Sequence, residues 1–361
     1  MPQQFDAPLR VAYTLEQCWH PVPGGTAVAA LRVAEALRAR SDVELHQVAG
    51  RHPKLPQSEY RPTGELAMLP LNRPLLYETW NRLNWPKVES VIGEIHIAHA
   101  TALVPCGTSA PLVVTVHDLA FLHDPSQFSR HGVRTMRHSL KSIAERADRV
   151  LCSSVATLED CVRAGIGQER VRHVPLGVDI VDVRDADIER VRRRYRLPTE
   201  FVLFVGTLEP RKNLPRLVTA LDGATLPLVV AGAPGWGDRP DLNRAHVLPV
   251  GFVDSADLPA LYAAAAVFAY PSEREGFGLP VAEAMSHGTP VVTSRGTSTE
   301  EVAGGAAILV DPFDPADIRR GIDDALDRTD DLTRRGRSRA QELSWAATAD
   351  ATVAVYRELS G

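Results

Sequence analysis

The chain of 361 residues has only four cysteines, Cys18, Cys106, Cys152 and Cys161, and no two of them stand at CxxC spacing. Neither a zinc site nor a disulfide framework is indicated. No window approaches the roughly 18 apolar residues that a membrane-spanning helix requires. The first residues carry Asp6 and Pro8 and lack a long apolar core, so they do not read as a signal peptide. Basic excess is missing too. The formal net charge of −5 argues against nucleic acid as a main partner. That total hides an asymmetry: residues 1–180 hold 19 Lys+Arg and 18 Asp+Glu, and the remainder 21 and 27. The N-terminal half is the better face for an anionic acceptor or a membrane surface. The expected location is the cytoplasm, with a peripheral contact at the inner face of the membrane through the N-terminal domain.

What is present is an ordinary globular composition, 44% hydrophobic and 24% charged, in a chain longer than one domain usually is. Two domains are therefore expected. Residues 9–14 read as a strand, followed by Pro21-Val-Pro-Gly-Gly-Thr26. Next come a helix with Leu31, Ala34 and Leu37 at helical spacing and a strand over 43–48. This is a Rossmann-like half. Gly24 and Gly25 either let a phosphate approach the backbone or form a plain tight turn, because the full GxGxxG pattern is missing. Residues 50–90, rich in proline, arginine and asparagine, read as a mobile loop and helix on the acceptor side. Strands over 95–98 and 111–116 follow, the second running into His117-Asp118. Polar residues at the carboxyl end of a parallel strand face the ligand crevice of an open α/β sheet, which makes His117 a candidate. Residues 126–148 read as a helix carrying Arg130, Arg134, Arg137, Lys141 and Arg146, either a solvated face or a basic one for acceptor or membrane.

A charged run over 182–196 marks the domain boundary near residue 180. It contains a bare DxD, Asp185-Ala-Asp187, at a helix start where acids favour the dipole, so no metal site is expected there. The second domain opens with a strand over 201–206. Arg211 and Lys212 follow it, placed before a helix start to clamp a diphosphate. Strands over 226–231, 246–251, 267–271, 290–293 and 307–310 complete a second alternating series. Ser344 caps a terminal helix over 345–359, whose Trp345, Thr348, Val355 and Tyr356 are placed to pack onto the other domain.

The second domain is organised around residues 272–288. Glu275 lies on a loop broken by Gly276 and Gly278, and Glu283 about one turn into the following helix. Between them the helix N-terminus, with Pro280 in its first turn, offers backbone N–H groups to a phosphate. An anion flanked by two carboxylates that bind hydroxyls suits a sugar nucleotide.

Gly206-Thr-Leu-Glu-Pro-Arg-Lys-Asn213, Glu275-Gly-Phe-Gly-Leu-Pro280 with Glu283, and Pro175-Leu-Gly-Val-Asp179 resemble the family-four retaining glycosyltransferases. His117-Asp118 and Pro23-Gly-Gly25 fit as well, and the resemblance covers nearly the whole chain. It implies the α/β GT-B fold, two Rossmann-like doubly wound domains facing across a cleft. Residues 1–179 would bind the acceptor, 180–342 the nucleotide sugar, and 343–361 would form a terminal helix crossing back. Arg211 and Lys212 would neutralise the donor diphosphate, assisted by N–H groups near Gly278, Leu279 and Gly25. Glu275 would bind hydroxyls of the transferred sugar, Glu283 the ribose, and His117 the sugar near its reacting carbon. Val253, with Phe252, would lie against the base. The full donor-contacting set comprises Gly24, Gly25, Thr207, Val253, Gly276, Phe277, Gly278, Leu279 and Glu283. Many members carry arginine where this chain has Thr207, which shifts the diphosphate charge onto Arg211 and Lys212. The forms of residues 207–213 and 117–122 look most like bacterial mannosyltransferases of surface-polysaccharide pathways. GDP-mannose is therefore the favoured donor, a glycan or lipid-linked chain the acceptor, and no metal or other cofactor is expected. The rival readings are a sugar-nucleotide epimerase of the same fold and a non-catalytic sugar-nucleotide-binding protein.

Overall fold

A computed structural model describes residues 7–20, 22–235 and 241–360. The chain divides into two compact units. The first is built from residues up to Pro125, residues 129–177 and the segment from Trp345 onward; the second from 126–128 and 178–344.

Among its described residues the first unit holds seven strands: β1 (Leu9–Thr14), β2 (Val43–Ala49), β3 (Leu66–Met68), β4 (Ile97–Ala100), β5 (Leu112–Val116), β6 (Arg149–Cys152) and β7 (Val171–His173). They are all parallel, in the order β3-β2-β1-β4-β5-β6-β7. The order reverses at β1, so the chain winds outward in both directions as in a Rossmann sheet. The second unit repeats the scheme with β8 (Val202–Val205), β9 (Leu228–Ala231), β10 (Val247–Gly251), β11 (Val267–Tyr270), β12 (Val291–Ser294) and β13 (Ile308–Val310). Their order is β10-β9-β8-β11-β12-β13, again parallel throughout. Parallel strands with helices on both faces need unbroken apolar sequence. β8 (Val-Leu-Phe-Val), β9 (Leu-Val-Val-Ala) and β11 (Val-Phe-Ala-Tyr) supply it and are buried at every residue.

The terminal helix Trp345–Leu359 belongs to the first unit, where Val353, Val355 and Tyr356 join a core with Val11, Tyr13, Ala30 and Leu37. The Tyr356 hydroxyl lies 2.6 Å from His99 Nδ1, and Thr348 Oγ1 donates to the Pro175 carbonyl at 2.8 Å. His99 also meets Thr115 Oγ1 through Nε2 at 2.7 Å, so this buried ring is satisfied at both nitrogens.

Several expected elements are corrected. β4 begins two residues later than expected, at Ile97, where pairing with Val11 starts; His96 is instead tied to Arg10 by hydrogen bonds in both directions. The segment 50–90 contributes the edge strand β3, paired to β2, and the helix Arg73–Leu83 with Pro74 in its first turn. The basic helix is Arg130–Arg146, capped by Ser129 Oγ on the Gly132 N–H. Arg146 turns inward from it, donating to the carbonyls of Trp80 at 2.8 Å and Cys106 at 2.7 Å. Asp187 of the DxD pairs with Arg184 at 2.9 Å on the first turn of helix Asp185–Tyr195. Among the described residues no helix is long and apolar enough to cross a membrane.

Candidate active site

In the second unit, β8 and β9 end side by side on glycines. A Cβ at Gly232 would stand 1.9 Å from the Gly206 carbonyl oxygen, and one at Gly206, whose φ is +156°, would stand 2.9 Å from Lys212 Nζ. Only bare backbone lets the two strand ends and the lysine share this space. The segment then turns through a short 3₁₀ stretch, Pro210–Lys212, and Asn213 in the left-handed conformation at φ 60° leads into helix Leu214–Ala220. Asn213 Nδ2 donates to the carbonyls of Pro271 and Pro312, which fastens this loop to the one after β11.

That fastening brings together groups distant in sequence. Arg211 donates through Nε to Glu209 at 2.8 Å, and through one terminal nitrogen to Glu275 at 2.5 Å and the Arg274 carbonyl at 3.0 Å. Lys212 Nζ donates to Thr207 Oγ1 at 2.8 Å and lies 3.9 Å from Glu209. Thr207 in turn donates to Glu209. The second oxygen of Glu275 accepts from Tyr270 at 2.8 Å and Ser272 at 3.0 Å. Glu209 and Lys212 are 6% and 7% exposed, so these charges are largely withdrawn from water and sustained by one another. Burial pushes the Glu275 carboxyl up, but Arg211 and then Lys212 outweigh it and hold the group below the usual carboxylate range. Burial also lowers the Lys212 ammonium, against Glu209 and Glu275.

The loop from Glu275 feeds helix Leu279–Ser286 through Gly278 at φ +108°, where a Cβ would stand 2.7 Å from Thr299 Cγ2. Phe277 is buried beside it. Leu279 and Pro280 open the helix, whose first N–H groups have no partner within it. Glu283 lies one turn in and accepts from Tyr262 at 2.7 Å. Among the described residues no cation pairs with it, and burial, opposed by the Tyr262 hydrogen bond and reinforced by Asp179, raises its pKa above the ordinary value. The two carboxylates thus differ in state: Glu275 is ion-paired and firmly ionised, Glu283 a better proton holder. After β10, Val253 is 5% exposed and Phe252 57%, so Phe252 offers the open face of that pair.

His117 and Gly24–Gly25 belong to the first unit. His117 follows β5, and its Nε2 lies 3.2 Å from the Thr101 carbonyl. A carbonyl only accepts, so Nε2 carries the proton and Nδ1 of the neutral ring is an acceptor. Burial lowers the His117 pKa, against the Thr101 contact and Asp118. Gly24 and Gly25 are not a separate turn; they are the first two residues of helix Gly24–Arg38, so their N–H groups lie at its positive end.

Glu209, Tyr270, Ser272 and Tyr262 went unassigned in the sequence reading. Glu209 had a signal, its fixed place within the loop that closes β8. The two tyrosines and Ser272 had none, since each reads as ordinary strand, helix or loop until the fold sets it against a carboxylate.

Residues 23–182 match the family described as Glycosyltransferase Family 4, and residues 187–342 that described as Glycosyl transferases group 1. The O-antigen chain mannosyltransferase B of Escherichia coli is 33% identical over 269 residues, which cover 68% of this chain and 70% of that protein. The serotype-specific mannosyltransferase WbdA of Escherichia coli is 32% identical over 244 residues, covering 60% of this chain but only 29% of WbdA. Among solved structures, Anabaena Alr3699/HepE in complex with UDP-glucose has a TM-score of 0.72 at 19% identity, over 97% of this chain and 100% of that one. Two parallel Rossmann-like units and these matches lead to one conclusion: the chain belongs to the family-four glycosyltransferases and is an enzyme of the GT-B fold.

Proposed function

We propose that this glycosyltransferase moves mannose from GDP-mannose to a glycan or lipid-linked acceptor, with retention of configuration and without a metal. The observation that carries the reading is the Arg211–Lys212 pair, which follows β8 with Lys212 buried and Arg211 largely covered, hydrogen-bonded into the same network as Glu275. Breaking the bond between the sugar and the diphosphate leaves an oxocarbenium-like ring and a growing negative charge. Cations already in place on that leaving group stabilise the transition state more than the ground state. Removing one such donor costs roughly 3 kcal/mol, about a hundredfold in rate.

In this scheme Arg211 and Lys212 hold the diphosphate, with N–H groups at Gly25, Gly276, Gly278 and Leu279 assisting and Phe277 shaping the loop. Glu275 binds hydroxyls of the transferred sugar, Glu283 the ribose, and His117 the sugar near C1. Glu209 helps keep Lys212 charged against its burial and holds Arg211 in place. The C1–oxygen bond to the diphosphate breaks, the acceptor hydroxyl oxygen bonds C1 on the same face, and its proton passes to the departing phosphate oxygen. Mannose is supported by two relatives named as mannosyltransferases. The UDP-glucose in the Anabaena structure belongs to a protein sharing only the fold. The proposed place of action is the cytoplasm, with the first unit at the membrane face.

The test is a thermal-shift screen of the purified chain against GDP-mannose, UDP-glucose, UDP-N-acetylglucosamine and dTDP-rhamnose. A ligand at 100 times its Kd stabilises by about 2.7 kcal/mol, well above noise. GDP-mannose should give the largest shift, and the product linkage should retain the donor's anomeric configuration by NMR. A larger shift with another donor overturns the mannose assignment; an inverted product overturns retention.

A further inference from the structure

Three loops at the carboxyl ends of β1, β2 and β3 enclose a pocket of about 410 Å³ in the first unit, apart from every residue assigned above. Its lining includes Trp19, Arg51, His52, Lys54, Leu55 and Arg73. The carboxyl ends of the strands are where open α/β sheets take their ligands.

The frame of this pocket is built. Trp19 stacks on His52 with ring centroids 4.4 Å apart and planes 8° from parallel. The Trp19 indole N–H donates to the Lys54 carbonyl at 2.8 Å, and Arg73 donates to the Trp19 carbonyl at 3.2 Å. Beneath them Glu16, 3% exposed, accepts from the Gly50 N–H at 2.7 Å and faces His52 Nε2 at 2.8 Å. A Cβ at Gly50 would stand 2.9 Å from both the Leu71 carbonyl oxygen and Leu76 Cδ2, so the loop after β2 is tightly seated.

On that frame the cations are unspent. Among the described residues the Arg51 guanidinium and Lys54 ammonium have no hydrogen bond or ion pair, and Arg73 has no carboxylate partner, its hydrogen bond going to a carbonyl. Three basic residues thus line a pocket beside one buried carboxylate, Glu16, which accepts from the backbone and faces His52. Leu55, in the lining, is 62% exposed and gives the pocket an apolar rim.

We propose that this pocket binds a phosphate or diphosphate ester carried by the acceptor. The proposal rests on the sugar-transfer reading, since that reading supplies the acceptor. Planar Arg51 and Arg73 suit bidentate contact with phosphate oxygens, and Lys54 adds a mobile point charge. The ester has two sources, a lipid-linked diphosphate or a water-soluble phosphate ester, and the rim distinguishes them.

Titration calorimetry on the full chain tests this, with the site in the second unit first saturated by GDP, or by UDP if GDP does not bind. Inorganic pyrophosphate and farnesyl diphosphate are the probes. Both should bind the nucleotide-saturated protein. Arg51→Ala with Lys54→Ala should weaken both about a hundredfold, about tenfold for each charged contact, with the nucleotide Kd unchanged. Both residues are exposed, so the double variant should fold. Tighter binding of farnesyl diphosphate, lost in Leu55→Ser, assigns a lipid-linked ester; equal binding assigns a soluble one. Absence of pyrophosphate binding, or equal binding by the double variant, overturns the proposal. A wild-type chain that binds neither GDP nor UDP sinks the donor reading instead, and the double variant still reports on this pocket.

Discussion

Gly206 and Lys212 are shaped for each other: a Cβ at residue 206 would reach within 2.9 Å of the lysine Nζ and 3.2 Å of its Cδ. Gly206→Ala must therefore move the ammonium, and it also places an L side chain at φ +156°. Misplacing a catalytic group by about 1 Å costs on the order of a hundredfold. The expected outcome is a loss of kcat of that size, with an unchanged circular dichroism spectrum, read in a donor-turnover assay.

Arg211 holds the charge of Glu275, whose side chain is 9% exposed. Arg211→Ala should destabilise the protein by about 3–5 kcal/mol, the usual result of stranding one partner of a buried pair. The double variant Arg211→Ala/Glu275→Gln should recover part of that loss without recovering activity. The pH dependence gives an independent sign. In the wild type Glu275 is held below its ordinary pKa, so its stabilisation is present above the unfolded value and lost as pH falls through the folded one. Without Arg211, Lys212 and Tyr270 are left to oppose burial, so the Glu275 pKa should rise. Urea unfolding at pH 7 and pH 5 should then show the single variant losing less relative to wild type at the lower pH.

Glu283 carries the opposite prediction. Burial raises its pKa, so the folded state binds this proton more tightly than the unfolded one. Its favourable contribution is full below the unfolded value and fades as pH rises through the folded value. Glu283→Gln should accordingly raise Tm at pH 7 and flatten that part of the stability profile. It should also weaken nucleotide binding by about tenfold through the lost charged acceptor. A variant both less stable and unchanged in affinity would contradict the assignment.

Glu209 acts through its neighbours. Burial lowers the Lys212 pKa and Glu209 is the strongest influence opposing it. In Glu209→Gln the ammonium should lose its proton at lower pH, moving the alkaline limb of kcat/KM downward. The rate at pH 6.5 should fall by no more than about tenfold, since the charged contact is weakened and the donor retained. A structural role alone would lower the rate without moving the limb.

The sheets were readable because buried parallel strands demand apolar runs, and residues 201–206 and 267–271 could scarcely be anything else. β3 escaped because an edge strand of three residues has one neighbour and little to bury. β4 was placed two residues early because Ile95 is as apolar as Ile97, and only pairing with Val11 separates them. Within the site, Arg211, Lys212, Glu275 and Glu283 stood out as charges beside strand ends and glycines. Tyr262, Tyr270 and Ser272 did not, because their value lies in which oxygen they meet. The basic pocket was hidden for a related reason: Trp19, Arg51 and Arg73 are separated by long stretches of chain, and only the ends of three adjacent strands gather them.

The terminal helix sets the order in which the molecule can be finished. The chain leaves the first unit after Gly177 and returns to it at Trp345, with Val178 N–H donating to the Leu343 carbonyl at 2.9 Å where the excursion closes. Domains generally fold in the order they are synthesised. Here the unit begun first lacks Val353, Val355 and Tyr356 until residues 345–359 are made, and His99 waits for its tyrosine hydroxyl. The second unit, begun later, is completed earlier on the ribosome. A nascent chain stalled before residue 345 would carry a finished second unit and a first unit still missing a wall of its core.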